Sequence, residues 1–149
     1  MMKIGVSACL LGHNVRYDAS NKKNDVIIKL LKDSFVVPIC PEVAGGFNVP
    51  HLPCEIKGDV VLNSNGEDVG KIFISGANLE FEKIKDCDFV ILKTKSPSCG
   101  YKKIYDGTFS NNLIDGNGIF AKLCIENDIE IYTEDDIKSI QKKLNKNGD

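Results

Sequence analysis

Short apolar runs alternate with amphipathic stretches along this chain. Residues 4–8, Ile-Gly-Val-Ser-Ala, read as a short buried strand. Residues 35–39 read as a second strand, and Pro38 within it points to a place near a sheet edge. Residues 88–93 form the strongest strand pattern, a continuous apolar run of the kind found in parallel strands covered on both faces. Residues 24–32 carry Val26, Ile27, Leu30 and Leu31 at helical spacing, with Asp25 in the first turn and Lys32 in the last, as the helix dipole favours. Residues 75–86 read as a helix feeding the strong strand, with Leu79, Phe81 and Ile84 available for packing. Residues 118–127 place Ile119, Phe120, Leu123 and Cys124 on one helical face. Residues 129–132 form a late strand. Thr133 then caps a last helix, with Asp136 three residues on and a stripe of Ile137, Ile140 and Leu144.

The pattern changes between Glu55 and Ile74. Residues 59–62 and 69–73 flank Asn63-Ser64-Asn65-Gly66, and Asn-Gly between two apolar runs predicts a β-hairpin. No internal repeat and no low-complexity linker interrupts the chain. Strands alternating with helices define the expected fold class: α/β, a single domain over residues 1–149. Its mostly parallel sheet is flanked by helices in a Rossmann-like three-layer arrangement, with a small β-hairpin excursion.

Size and charge narrow the function. A chain of 149 residues buries roughly 70% of its unfolded surface and needs no staples to fold. The net charge of -2 supplies no basic field, which argues against nucleic acid as a partner. The lysines of the tail, Lys142, Lys143 and Lys146, read as a solvated helix end. No apolar run approaches the ~20 residues of a membrane span, and the start is too short and too soon interrupted for a signal peptide. A cytoplasmic location is the expectation, and with it six reduced cysteines rather than three disulfides.

Three of those cysteines follow apolar strand-like runs and sit among turn residues. Cys9 lies in Val6-Ser7-Ala8-Cys9-Leu10-Leu11-Gly12, Cys40 in Cys40-Pro41-Glu42-Val43-Ala44-Gly45-Gly46, and Cys99 in Ser96-Pro97-Ser98-Cys99-Gly100. If the runs are parallel strands of one sheet, all three thiols emerge at the carboxyl edge, where open α/β sheets bind ligands. Three thiols without a fourth suit an iron–sulfur cluster with one open iron. The alternatives are three packed core cysteines, zinc held by the cysteines with His13 or His51, and a thiol enzyme whose Cys99 is the nucleophile, activated by a nearby helix start. A non-catalytic cluster-binding or zinc-binding module is a further reading. Cys124 and Cys87 read as packing, and Cys54 stands near enough to the second loop to approach the site. Glu42 is a candidate general acid or base, or a loop cap; Ser96 and Ser98 are candidate donors to substrate, or turn residues. Gly45-Gly46 and Gly100 would let backbone approach a bulky inorganic core, and Arg16 is a candidate to pair with Asp18 or another loop carboxylate, or to contact substrate.

Taken together, these segments resemble a known family. With Val15-Arg16-Tyr17-Asp18 and Ile104-Tyr105-Asp106-Gly107-Thr108-Phe109, they are similar to the bacterial domain-of-unknown-function family that includes the thiouracil desulfurases. The likeness runs from about Ile4 to Glu134. It implies a 4Fe–4S cluster on Cys9, Cys40 and Cys99, with the fourth iron free to polarise the sulfur of a small thiolated substrate such as 2-thiouracil. Water would then replace that sulfur without redox chemistry, Glu42 handling protons and Ser98 positioning substrate or water. The chain departs from the family pattern at His51, where arginine is usual after the proline, and at Ala19, where glycine is common. The stretch from Gly66 to Asp86 is also shortened and altered.

Overall fold

A computed structural model describes residues 1–147. In chain order the elements are β1 (Lys3–Ser7), a 3-10 turn (Ala8–Leu11), α1 (Asp25–Leu30), β2 (Phe35–Ile39), α2 (Pro41–Ala44), β3 (Cys54–Lys57) and β4 (Val60–Asn63). There follow α3 (Gly70–Ile84), β5 (Phe89–Leu92), β6 (Lys103–Tyr105), β7 (Leu113–Asp115), α4 (Ile119–Glu126), β8 (Ile131–Thr133) and α5 (Ile137–Asn147). Four strands build one parallel sheet in the order β2-β1-β5-β8.

Strand alternation divides the core between two faces. Ile4, Val6, Phe89 and Ile91 point to one side, where Ile27 and Leu31 from around α1 and Ile140 of α5 cover them. Val90, Leu92 and Ile39 point to the other, against Ala77 and Ile84 of α3 and Phe120, Ala121 and Cys124 of α4. The result is the helix–sheet–helix layering expected. Burying each of these large side chains contributes about 1.5–3 kcal/mol.

The chain leaves β1 first toward β2 and then, after β2, crosses to β5 on the opposite side of β1. The strand order therefore reverses between β1 and β5, and in such sheets the crevice beyond the carboxyl ends at that point receives ligands. Register keeps those ends level: Ser7 pairs with Ile39, and Val6 with Ile91.

The excursion differs from the sequence expectation. The hairpin pairs β3 with β4 around Gly58 and Asp59. The Asn63–Gly66 turn exists, with the Gly66 N–H donating to the Asn63 carbonyl at 2.9 Å, but its far arm is a single bridge between Leu62 and Asp68. Residues 69–73 open α3 instead, because Phe73, Ala77, Glu80 and Ile84 form one buried helical stripe. A second hairpin, β6 with β7, had no counterpart in the sequence pattern. Thr133 closes β8, and α5 begins four residues later. Between them the Asp136 carboxylate accepts the Thr133 N–H at 2.8 Å and the Thr133 hydroxyl accepts the Asp135 N–H at 3.2 Å. Residues 148 and 149 of the expected domain lie outside the described residues, as does the side chain of Lys146. Of the tail lysines, Lys143 pairs with Glu130 at 3.1 Å.

Candidate active site

Each of the three loop cysteines is held by backbone bonding in the loop that follows a strand, directly after β1 and β2 and seven residues beyond β5. Cys9 sits in the 3-10 turn that follows β1, and its carbonyl accepts the N–H groups of Gly12 and Lys22. Cys40 is the N-cap residue of α2, with Pro41 pre-set for the first helical turn. Its N–H donates to the buried Glu80 of α3 at 3.3 Å. Cys99 closes a tight turn in which the Ser96 hydroxyl oxygen accepts the N–H groups of Ser98 and Cys99 at 3.1 and 3.0 Å. The Ser98 carbonyl in turn accepts the N–H groups of Phe120 and Ala121, which anchors the loop to the start of α4.

All three cysteines line one cavity of about 620 Å³ beyond the carboxyl ends of the strands. They are close enough that negative charge on Cys9 and Cys40 raises the Cys99 pKa, and charge on Cys40 raises that of Cys9. Burial is the first cause in each case. It lifts Cys9 to about 11, against the pull of Lys93 and Arg16, and lifts Cys40 and Cys99 above the ordinary thiol range. A protein left to itself would hold these thiols neutral, whereas metal coordination deprotonates them outright. Three sheltered thiols opening on one cavity are a donor set fitted to a soft, multi-iron group.

Burial of Cys99 works against its reading as a nucleophile, which calls for a lowered pKa. The zinc alternative also fails to assemble: among the described residues no three His, Cys, Asp or Glu side chains crowd around a single-ion position. His13 is exposed and stands outside the cavity lining.

Glu42 and Ser98 meet in the cavity wall. Glu42 lies in the first turn of α2 with its side chain only 17% exposed, so it is neither a solvated loop residue nor a cap. The Ser98 hydroxyl donates to Glu42 Oε2 at 2.9 Å. It also lies 2.9 Å from the Ser96 hydroxyl, which must donate because the Ser98 hydrogen is already committed. The chain thus runs Ser96 to Ser98 to Glu42. Glu42 Oε1 faces His51 Nε2 at 3.3 Å.

Lys93 and Thr94 enter the cavity wall with no signal in the sequence pattern. Lys93 lines the cavity and is locked to Glu134 at 3.1 Å, while Glu134 also receives the Thr94 N–H and hydroxyl, both at 2.9 Å. Arg16 lines the cavity over the Tyr17 ring at 5.6 Å, and Asp18, one of the partners open to it, accepts from Ser20. Cys54, at the start of β3, is a fourth thiol in the wall. It donates to the Leu52 carbonyl at 3.4 Å and is raised to about 12 by burial and then by Glu42. Gly45 serves a purpose other than the one expected. A Cβ there would stand 2.2 Å from the Ile72 carbonyl, and one at Gly76 only 1.7 Å from the Pro41 carbonyl. The pair lets α3 press backbone to backbone on α2, which fixes Cys40 and Glu42. Cys124 is fully buried among apolar side chains, and Cys87 packs against the same cluster.

Residues 4–136 match the family described as 2-thiouracil desulfurase, which places the chain among enzymes that cleave carbon–sulfur bonds. A protein of Bacillus subtilis (strain 168), uncharacterized protein YbbK, is 38% identical over 147 residues, covering 91% of this chain and 97% of that one. A solved structure, that of the [4Fe-4S]-dependent thiouracil desulfidase TudS, superposes with a TM-score of 0.89 at 36% identity, covering 97% of this chain and 99% of the other. The chain belongs to the 2-thiouracil desulfurase family.

Proposed function

We propose that Cys9, Cys40 and Cys99 hold a 4Fe–4S cluster with one iron left unligated by the protein, and that the enzyme hydrolyses the carbon–sulfur bond of a small thiolated compound such as 2-thiouracil. The observation that carries this reading is the convergence of three thiols, two buried and one half-buried, on a cavity that also presents the hydrogen-bonded Glu42–Ser98 pair. Likeness to a [4Fe-4S]-dependent thiouracil desulfidase supports the choice of cluster and substrate class.

When bound, the cluster supplies a Lewis acid that draws electron density from the substrate sulfur. The remaining work falls to this chain. Water adds its oxygen at the carbon, sulfur leaves as sulfide, and the carbon keeps its oxidation state, so no electron donor is required. Glu42 accepts a proton from the attacking water, and Ser98, bonded to Glu42 Oε2, orients that water or the substrate.

Anaerobic reconstitution followed by a sulfide-release assay on 2-thiouracil tests the proposal. Uracil and sulfide should appear in equal amounts only with the iron-loaded protein. An iron-loaded protein that releases no sulfide from any thiolated base would overturn the enzymatic reading, and stoichiometric iron in the Cys99→Ala variant would overturn the ligand set.

A further inference from the structure

His51 occupies a position that the chemistry described so far does not use. Its ring stacks on Phe47, centroids 4.2 Å apart and planes 19° from parallel, and its backbone N–H donates to the Tyr17 carbonyl at 2.7 Å. Its side chain is 8% exposed. Nδ1 lies 2.7 Å from the Leu52 carbonyl oxygen. A carbonyl only accepts, so Nδ1 carries a hydrogen. The fixed tautomer leaves Nε2 as the free nitrogen, and Nε2 is buried with no well-aligned hydrogen-bond partner. What stands in front of it is Glu42 Oε1, at 3.3 Å. A neutral ring would set a lone pair near that oxygen, whereas an imidazolium sets its positive charge there.

We infer that His51 is a positioning residue for Glu42: as an imidazolium it holds Oε1 while Ser98 holds Oε2, so the carboxylate is gripped at both oxygens. Phe47 and the Leu52 carbonyl restrain the ring, and the ring restrains the carboxylate. None of His51, Phe47 and Leu52 lines the cavity, so the residue acts through Glu42 and not on substrate. The activity arm of this inference rests on the desulfurase reading above; the pairing itself does not.

The test compares His51→Phe, which keeps the stack and loses Nε2, with His51→Arg, which returns a permanent cation, both as iron-loaded protein. His51→Phe should keep its iron and sulfide content and its KM while kcat falls roughly 10- to 100-fold, as misplacement of a catalytic group does. His51→Arg should recover most of that loss. Unchanged kcat in His51→Phe, or an arginine variant no better than the phenylalanine one, would overturn the inference. A second measurement needs no turnover: thermal unfolding of the iron-loaded wild type, His51→Phe, Glu42→Gln and the double variant. The two changes should be non-additive, Glu42→Gln removing most of the penalty of His51→Phe; strict additivity would overturn the pairing. If the wild type itself releases no sulfide, the enzymatic reading falls, and the unfolding cycle alone decides the role of His51.

Discussion

Cys99 and Cys124 make an instructive pair. Both are buried against the same face of the sheet, and burial pushes both thiols upward, Cys124 to about 12. Neither exposure nor acidity distinguishes them. What differs is their position relative to the strands. Cys124 projects from α4 into close-packed apolar side chains, whereas Cys99 follows β5 in a turn that delivers it to a cavity. The lesson is that a thiol's chemistry here is set by topology, through the strand end it follows.

The sharpest way to break this contrast is to remove the thiols one at a time. Cys9→Ala, Cys40→Ala and Cys99→Ala should each lose essentially all bound iron after anaerobic reconstitution, while Cys124→Ala keeps it, as measured by iron and sulfide content. Next in size, Glu42→Gln should retain iron but lose on the order of 10²- to 10⁴-fold in the rate of sulfide release, the range for a general acid or base. Gly76→Ala tests the frame rather than the donors. Its added methyl meets the Pro41 carbonyl, so unfolding should be easier by about 1–3 kcal/mol, and iron loading should fall with it because α2 carries Cys40. Cys124→Ala should cost about 1 kcal/mol in denaturant unfolding, the loss of one small buried group, with no effect on loading.

The smallest effect is one of pH. For His51, burial lowers the pKa, but the neighbouring Glu42 and the Leu52 carbonyl outweigh it, and the folded value lies above the ordinary one. The stabilisation is therefore complete below the unfolded value near 6.5 and is lost as pH rises through the folded value. The gap in melting temperature between wild type and His51→Phe should be wider at pH 6 than at pH 9.

Much of the frame is legible in the sequence because each main strand is an uninterrupted apolar run and each crossover a helical stripe. The three cysteines are legible for the same reason, since each stands a short distance past such a run. The excursion misleads at its second arm: Val69, Ile72 and Phe73 look strand-like in a five-residue window, and only the longer stripe to Ile84 reveals α3. The β6–β7 hairpin escapes because β7 is exposed throughout and β6 buries Ile104 alone, leaving no alternation to detect. In sequence, His51 offers itself only as a zinc ligand or as a departure from the family pattern. Its contact with Glu42 depends on how the segment after α2 folds back, which no local spacing encodes. Gly76 likewise discloses its purpose only when α2 lies across it.

The thiols of Cys9, Cys40 and Cys99 come from beyond β1, β2 and β5, and no two are near neighbours in sequence. A chain that has yet to fold thus offers iron no ready chelate, unlike one bearing two cysteines within a single turn. With the ligand set proposed above, cofactor acquisition would be a late event, conditional on three strands lying side by side, and a polypeptide interrupted before Cys99 emerges could not be charged prematurely.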